Sequence, residues 1–369
     1  MKMISTKAAV VNGPGDAFAL EDVELDEPRS GEVLVKVLAT GVCHTDLIMQ
    51  NAVAGPSVLG HEGSGTVIKV GDDVTGFAVG DKVVMSFASC GICRSCLRGS
   101  PAQCVQFFDL NMAGVRPDGT VSLHGHDNRS IRGNFFGQSS FAEYALTSPR
   151  NLVKVPDDTP VDLLRILGPL GCAVQTGAGA VINSLDITAG SSIVIFGAGA
   201  VGLSALLGAV VAGASQIVVC DINIGRLELA KELGATDVVD ARDPDVVQTI
   251  IELTEGGSDY SVESSGNMQA VSNSVAVLAA GGVAALVGLG RPGAQATFDH
   301  SVLVSGRSAI GVVEGDAIPQ VFIPELISLH RQGKFPFDAL IKLYPFDQIQ
   351  QAADDSLSGS TIKGVVVFE

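Results

Sequence analysis

The chain has 369 residues, of which 46% are apolar and 44 are glycine. This length allows two domains with buried cores, and the glycine content suits an α/β protein with many tight turns. The formal net charge of −17 argues against nucleic acids and anionic membrane surfaces as partners, because both would repel the protein. No apolar signal segment follows the first residues, and metal-binding thiols favour a reducing compartment, so we expect a cytoplasmic protein.

The first 150 residues alternate short β-rich runs with glycine, proline and aspartate. The runs read KAAVVNGPG, GEVLVKVLATGV, GSGTVIKVGDDV, VGDKVVMS and SFAEYALTS. Such spacing predicts a β-rich, barrel-like domain.

Four cysteines lie close together within this part of the chain, in the pattern C-x2-C-x2-C-x7-C. They are Cys90, Cys93, Cys96 and Cys104. Four thiolates so close in sequence can surround one tetrahedral zinc ion with no open position, which is typical of a structural site. A disulfide framework is the alternative, but cysteines this close rarely reach disulfide geometry, and nothing at the N-terminus indicates export.

Two further cysteines and a histidine suggest a second zinc site. Cys43 occurs in TGVCHTDL, His61 precedes Glu62 in VLGHEGSG, and Cys172 occurs in LGPLGCAVQTG. Each would, taken alone, be an ordinary core residue. Together, two thiolates and one imidazole form a zinc site whose fourth position stays open for water or substrate, a ligand set for which alcohol dehydrogenase is a standard example. Cys220 is expected to be a core residue.

A dinucleotide-binding motif follows. The strand from Ser191 to Phe196 leads into Gly197, Gly199 and Gly202, with the spacing G-x-G-x-x-G, and then into a helix of small residues. This arrangement places a pyrophosphate at the helix N-terminus. The next strand ends in Asp221, whose carboxylate can accept hydrogen bonds from the ribose hydroxyls of NAD and would repel the 2′-phosphate of NADP. We therefore predict NAD as the cofactor. The nearby Arg226 is the group that could weaken this preference for NAD over NADP.

Six candidate strands between about 176 and 313 suit a complete Rossmann sheet, a doubly wound parallel sheet. They are SSIVIFG, QIVVCD, DVVDA, DYSVESSG, GGVAALVGL and SAIGVV. No charged residue lies between Asp186 and Asp221, which raises the alternative of a membrane span. Repeated glycines and the strand-turn-helix-strand rhythm favour buried parallel strands instead. The chain ends with a predicted helix in VFIPELISLHRQGKF and a strand in IKGVVVFE.

The order of these motifs resembles the zinc-containing medium-chain alcohol dehydrogenases over essentially the whole chain. Phrases such as GHEGSG, GPLGC and GAGAVGLSAL are most similar to the bacterial aryl-alcohol (benzyl alcohol) branch. The resemblance implies a GroES-like catalytic domain over residues 1–175, with a structural zinc lobe at about 88–106, a Rossmann domain over 176–313 and a return to the catalytic domain over 314–369. It also implies two zinc ions per chain, NAD, and a homodimer or homotetramer.

The resemblance also implies roles for single residues. Cys43, His61 and Cys172 match the catalytic zinc ligands, and Cys90, Cys93, Cys96 and Cys104 match the structural ligands. Thr45 matches the hydroxyl that takes the substrate proton, Asp46 the carboxylate that orients the ligand histidine, and Glu62 a carboxylate behind the zinc. His44 and Lys363 match cationic contacts to the pyrophosphate, and Arg226 a ribose contact. An ordinary surface lysine is the alternative for Lys363.

One residue and one segment of this chain differ from the pattern of the liver-type enzymes. Ile48 stands where they have a histidine that completes a proton relay, so the proton must leave by another path. The segment between Cys43 and His61 is short, which puts one wall of the substrate pocket in question.

The expected reaction is oxidation of a primary aromatic alcohol to its aldehyde, with hydride transfer to NAD. Phe87, Phe135 and Phe136 are candidate walls of an aromatic pocket, with plain core as the alternative for each. Geraniol-type allylic alcohols are an alternative substrate class. Glutathione-dependent formaldehyde dehydrogenases are also similar, but they place an arginine where this chain has Phe108. A non-catalytic NAD(P)-binding relative is the alternative from another class; it would lack the catalytic metal ligands.

Overall fold

The structure, a computed structural model, describes residues 3–369. It divides into two compact units. The first runs to Cys172 and includes Ile318–Glu325 and Leu340–Glu369, and the second comprises Ala173–Ala317 and Leu326–Ala339. The domain bounds expected from the sequence, with a return to the first domain at residue 314, stay a prediction. In the structure the chain returns to the first unit at Ile318, and Leu326–Ala339 is part of the second unit. One continuous helix, Pro319–Arg331, contributes residues to both units.

The first unit is rich in β-strands, as the sequence predicts. Its strands, numbered β1–β10, β17 and β18 in chain order, are Met3–Val11, Ala19–Asp26, Val33–Gly41, Ser57–Val58, Gly63–Val70, Lys82–Met85, Leu123–Gly125, Ser130–Ile131, Tyr144–Thr147, Leu152–Lys154, Ile341–Pro345 and Lys363–Val367. They form a five-stranded sheet in the order β4-β1-β2-β7-β8 and a seven-stranded sheet in the order β10-β6-β5-β3-β18-β17, with β9 paired to β3. Its helices α1–α4 and α12 are His44–Gln50, Arg94–Leu97, Phe107–Met112, Val161–Ile166 and Ile349–Ser358.

Strand β3 positions the segments that hold the candidate site residues of the first unit. It pairs with β5, β9 and β18, and the buried side chains of Val33, Val35 and Val37 fix it in the core. Helix α1 begins three residues after β3 ends, and β5 begins directly after His61 and Glu62. Segments far apart in sequence therefore converge at the C-terminal end of β3.

The second unit contains the Rossmann sheet. Its strands β11–β16 are Ser192–Phe196, Gln216–Asp221, Asp237–Asp240, Ser258–Glu263, Leu278–Leu286 and Ser308–Gly311. All are parallel, in the order β13-β12-β11-β14-β15-β16, which is the doubly wound order 3-2-1-4-5-6. Its helices α5–α10 are Ala173–Gly179, Ala200–Ala212, Ile224–Glu232, Val246–Leu253, Met268–Ala276 and His300–Val304, and α11 is the shared helix Pro319–Arg331. The predicted fold class and all six predicted strands are confirmed.

The long uncharged stretch is explained by this sheet. Ile193, Val194 and Val218 are completely buried, because strands of a parallel sheet are covered on both faces. Across residues 3–369, no helix combines the length and apolar character needed to span a bilayer.

Candidate active site and metal centres

The four-cysteine cluster has the geometry of a tetrahedral metal site. The four sulfur atoms all lie within 4.8 Å of one another. The Sγ atoms of Cys90 and Cys96 are 4.0 Å apart, as are those of Cys93 and Cys104. A disulfide would need about 2.05 Å, whereas Zn–S bonds of about 2.3 Å imply sulfur separations of about 3.8 Å. The four thiols are unbridged, and their spacing fits one zinc ion.

Backbone groups prepare these sulfurs for a cation. The N–H groups of Cys90 and Gln106 donate to the sulfur of Cys104, and the N–H of Cys93 donates to that of Cys90. Hydrogen bonds from the backbone of Cys96 and Val105 lower the pKa of the Cys93 thiol to about 6. These contacts favour the thiolate, the form that binds metal, at Cys93, whereas burial raises the pKa of the Cys104 thiol to about 11.

Cys43, His61 and Cys172 are brought together as the sequence predicts, and Glu62 joins them. Their ligand atoms lie within 4.8 Å of one another, and all four residues belong to the first unit. Cys43 is the residue before α1, His61 and Glu62 precede β5, and Cys172 follows the turn Gly168–Gly171. A hydrogen bond from Cys172 lowers the pKa of the Cys43 thiol well below its usual range.

Asp46 fixes the orientation of His61. Its Oδ1 lies 2.8 Å from His61 Nδ1 and accepts from the N–H of Gly60, while Oδ2 accepts from the N–H of Cys43 at 2.9 Å. Both side chains are fully buried. These contacts leave Nε2 as the atom of His61 that is available to a metal.

The donor set fits zinc. Within the part of the chain that the structure describes, His61 Nε2 is buried without a hydrogen-bond partner. Burial lowers the pKa of His61, but the charges of Asp46 and Cys43 outweigh it, so the pKa is raised well above its usual range. A cation bound by the imidazole and the thiolates of Cys43 and Cys172 would replace that proton and satisfy the buried nitrogen.

Lys363, predicted to contact the pyrophosphate, is buried beside Glu62. Its Nζ lies 2.9 Å from both carboxylate oxygens of Glu62 and donates to the carbonyl of Val42 at 3.1 Å. These three contacts use all three ammonium donors. Lys363 thus forms a buried ion pair with Glu62 and, at 3% exposed, is not a surface lysine. Its predicted contact to the pyrophosphate stays a prediction.

Glu62 is held in a tightly filled space. A Cβ atom on Gly41 would lie 2.0 Å from Glu62 Oε2, so residue 41 must be glycine for the carboxylate to keep its place. Burial raises the pKa of Glu62 although Lys363 opposes this. Burial likewise opposes the charge on Lys363, but Glu62 raises its pKa. The pair is a charged contact beside Cys43, His61 and Cys172, and it joins residues 301 positions apart in sequence.

Thr45 lies beside the predicted metal ligands. Its Oγ1 is 3.9 Å from Cys43 Sγ, on the first turn of α1. His44 is exposed on the same turn. The roles predicted for these two side chains, in proton transfer and in pyrophosphate binding, stay predictions.

The glycine motif in the second unit shows three separate reasons for glycine. Gly197 has φ +96°, a left-handed conformation that ends β11. A Cβ on Gly202 would lie 1.7 Å from the carbonyl oxygen of Gly197, so helix and strand could not approach as they do. A Cβ on Gly199 would meet no atom within 4 Å, which leaves room for a bound group at the start of α6. This is the division of roles expected for a dinucleotide site.

Asp221 is positioned at the end of β12. Its Oδ2 accepts from the N–H of Ala198 at 2.6 Å, and its Oδ1 accepts from the N–H of Asn223 at 2.7 Å. The carboxylate is thereby tied to the glycine loop that holds the pyrophosphate in such folds. Arg226 lies on the first turn of α7, where its backbone N–H donates to Asn223.

The three predicted pocket phenylalanines are buried. The ring of Phe136 stacks on His61 with centroids 4.4 Å apart, and that of Phe135 meets His61 edge-on at 5.5 Å. Phe87 packs instead against Phe107. Two of the three therefore surround a candidate metal ligand.

Sequence reasoning missed Gln138. Its buried amide accepts from the N–H of Gly63 and donates to the carbonyls of His61 and Ser86. It anchors the segment that carries His61 and Glu62. No sequence signal identified it, because a lone glutamine 77 residues from its partner has no recognisable spacing.

Comparisons with known proteins agree with this geometry. Residues 29–157 match the family model described as "Alcohol dehydrogenase GroES-like domain", and residues 200–330 match "Zinc-binding dehydrogenase". Geraniol dehydrogenase from Castellaniella defragrans is 45% identical over 370 residues, covering 99% of this chain and 98% of that protein.

Two crystal structures are similar over nearly the full chain. One is an alcohol dehydrogenase zinc-binding domain protein from Burkholderia ambifaria, with TM-score 0.97 and 47% identity, covering 100% of both chains. The other is benzyl alcohol dehydrogenase from Acinetobacter calcoaceticus, with TM-score 0.94 and 48% identity, covering 99% of this chain and 100% of the other. Zinc and NAD are the cofactors of this family, and the residues described above fit both. The chain belongs to the zinc-containing medium-chain alcohol dehydrogenases.

Proposed function

We propose that this alcohol dehydrogenase oxidises primary aromatic alcohols of the benzyl type to their aldehydes, reversibly, with NAD as hydride acceptor. The observation that carries the substrate class is the pair of phenylalanine rings against His61. Phe136 lies parallel to the imidazole and Phe135 perpendicular to it, so the metal site is bounded by aromatic surface. Aromatic rings pack favourably in both stacked and edge-on arrangements, which favours a benzylic substrate.

Different residues of this chain would bind the zinc, orient its histidine ligand and accept the substrate proton. Cys43, His61 and Cys172 would hold the catalytic zinc, and Asp46 keeps the imidazole in the tautomer that exposes Nε2. Zinc, when bound, lowers the pKa of an alcohol hydroxyl and so makes the alcohol a better hydride donor. Thr45, beside Cys43, accepts the hydroxyl proton by hydrogen bond.

Cofactor choice and proton exit follow from further residues. The carboxylate of Asp221 favours the free ribose hydroxyls of NAD over the phosphate of NADP. The side chain of Ile48 cannot carry a proton, so the proton leaves Thr45 by a path other than residue 48. The phenylalanines also exclude water from His61, which protects the polar contacts of the site.

Geraniol-type allylic alcohols are the second candidate substrate class. The support is the 45% identity to a geraniol dehydrogenase and the same apolar surroundings of His61. A glutathione adduct is disfavoured because Phe108, 75% exposed, offers no charge to a peptide carboxylate. A non-catalytic role is disfavoured because the three ligands converge in one buried cluster.

The test is NADH formation by zinc-loaded protein with benzyl alcohol, geraniol and a short aliphatic alcohol, each with NAD and with NADP. We expect the highest kcat/KM for benzyl alcohol with NAD. A higher kcat/KM for geraniol would select the allylic class, and turnover of the aliphatic alcohol alone would overturn the aromatic assignment.

We also propose that the chain assembles as a homodimer or homotetramer in the cytoplasm. The edge strand β16 of the Rossmann sheet supports assembly, since Ser308 and Ala309 are exposed and an edge strand offers unpaired backbone groups. Sedimentation of the purified protein tests this, and a monomer at micromolar concentration would contradict it.

A further inference from the structure

A cavity of about 120 Å³ lies in the first unit, next to the metal site. Most of its wall is apolar, formed by Met49, Val53, Leu59, Met112 and Phe135 among others. It lies under the short segment between Cys43 and His61, and α3 ends at its opposite wall. The short segment thus leaves a space that α3 and the residues after it only partly fill.

The ring of Phe135 borders both this cavity and the candidate metal site. The same ring lines the cavity and meets His61 edge-on at 5.5 Å. Leu59 lies two residues before His61, and Met49 lies on α1 with Thr45 and Asp46. An apolar cavity of roughly 150 Å³ can bind benzene, so this space is of the order that one aromatic ring needs.

Arg132 is the one charged side chain among the described residues that line the cavity. Its backbone is fixed, because its N–H donates to Pro56 and its carbonyl accepts from Val58. Its Nη1 donates to the carbonyl of Ala113, another lining residue, at 2.6 Å. The guanidinium therefore lies along the cavity wall rather than in bulk solvent.

The guanidinium of Arg132 differs from its neighbours in lacking a counter-ion. Arg116 pairs with Asp26 and Glu32, and Arg129 pairs with Glu21. Arg132 forms no ion pair with any residue in the range 3–369, although the chain carries a net charge of −17. An arginine beside apolar surface with free donors is suited to a carboxylate, which it can bind through two parallel hydrogen bonds.

We propose that Arg132 recognises a carboxylate at the far end of an aromatic alcohol whose ring lies in this cavity beside Phe135. The proposal rests on the proposed function and narrows its substrate class to aromatic alcohols with an anionic substituent opposite the carbinol. Arg132 is a specificity residue here, since it contacts the substrate far from the reacting carbon. Because the protein as a whole repels anions, acceptance of such a substrate depends on this guanidinium.

The experiment compares kcat/KM for benzyl alcohol and 4-(hydroxymethyl)benzoate in zinc-loaded wild-type protein, Arg132→Met, Arg132→Lys and Arg129→Met. In Arg132→Met we expect the ratio for carboxylate over benzyl alcohol to fall roughly 10- to 100-fold, through KM rather than kcat. Arg132→Lys, which keeps the charge but not the paired donors, should lose less. Arg129→Met removes an arginine from the same hairpin and should leave the ratio unchanged.

Other outcomes would overturn the proposal. An unchanged ratio in Arg132→Met, or an equal fall in Arg129→Met, would remove Arg132 as the recognising group. An equal loss with 4-methoxybenzyl alcohol would show that charge is not what is recognised. Zinc content and thermal melting check folding. If Arg132→Met does not fold, the ratio of kcat/KM for the carboxylate over benzyl alcohol is measured in Arg132→Lys and decides the question.

A binding measurement separates this proposal from the proposed function. If benzyl alcohol is oxidised but the ratio does not depend on residue 132, the proposed function stands and the inference fails. If zinc-loaded protein oxidises neither alcohol, the proposed function fails, and calorimetry decides the inference. In the calorimetric titration, 4-(hydroxymethyl)benzoate should bind to wild type roughly 10-fold or more tightly than to Arg132→Met. Equal binding to the two proteins would refute the inference.

Discussion

Replacing Asp46 by asparagine tests how strongly this buried carboxylate supports the catalytic zinc. Asp46 accepts three hydrogen bonds, at 2.8 Å from His61 Nδ1, 3.0 Å from Gly60 and 2.9 Å from Cys43. The asparagine amide keeps one oxygen and presents an NH₂ group in place of the other. At least one of the three donors then faces another donor, and the negative charge next to His61 is lost.

The size of the effect follows from those contacts. A hydrogen bond to a charged group contributes about 1.5–3 kcal/mol, and loss of a carboxylate behind a ligand histidine weakens metal binding roughly 10- to 100-fold. Both residues are fully buried, so water cannot replace the lost contact. We expect Asp46→Asn to lower the affinity of the catalytic site for zinc by that factor and to reduce kcat/KM for benzyl alcohol at limiting zinc.

The assay is zinc content during titration with a chelator, followed together with NADH formation. The four-cysteine lobe provides an internal control, because its zinc should leave Asp46→Asn and wild type at the same chelator concentration. Asp22→Asn, an exposed carboxylate on β2, is the matched surface control. If Asp46→Asn releases both zinc ions at the wild-type chelator concentration and keeps its activity, the reasoning about Asp46 is refuted.

Three further predictions concern the glycine motif, the buried ion pair and acid stability. Gly199→Ala should fold normally but bind NAD more weakly, whereas Gly202→Ala should lower the melting temperature, because its Cβ would meet backbone at 1.7 Å; equal melting of the two variants would contradict this. Lys363→Met should destabilise the fold by about 3–5 kcal/mol in urea unfolding, because it removes the ammonium counter-charge of the buried Glu62 carboxylate, and the added change Glu62→Gln should recover part of the loss. Hydrogen bonds from Tyr344, Lys342 and Gln351 lower the pKa of Asp355 to about 2, so its contribution to stability is present above about pH 4 and is lost as the pH falls towards 2. The stability difference between wild type and Asp355→Asn should therefore shrink over that range, and a constant difference would count against it.

The Rossmann unit was predictable because its signals are local. Strands β11 and β12 contain continuous apolar runs over residues 193–196 and 217–220, and Gly197, Gly199 and Gly202 fall within six residues. In the first unit, β2 was not among the predicted strands. Its sequence ALEDVELD buries Val23 and Leu25 while its acidic residues stay at least partly exposed, so its β character is weaker in the sequence.

In the candidate site, too, features with a clear sequence pattern were predictable, and contacts between distant segments were not. Short spacing predicted the four-cysteine site, whereas Cys43, His61 and Cys172 were predicted from residue type and the order of the motifs; the structure brings each set together. The partner of Lys363 was beyond sequence reasoning, since the contact to Glu62 depends on β18 pairing beside β3. Arg132 was missed for a related reason: an arginine without a counter-ion is recognisable only when the carboxylates around it are known.

Zinc stoichiometry and turnover in Cys172→Ser test the central claim most directly. Wild-type protein should contain two zinc ions per chain and form NADH from benzyl alcohol and NAD. Cys172→Ser should keep the zinc of the four-cysteine lobe, lose the catalytic zinc and show no turnover. Two zinc ions per chain with wild-type turnover in Cys172→Ser would contradict the assignment of Cys43, His61 and Cys172 as the catalytic ligands.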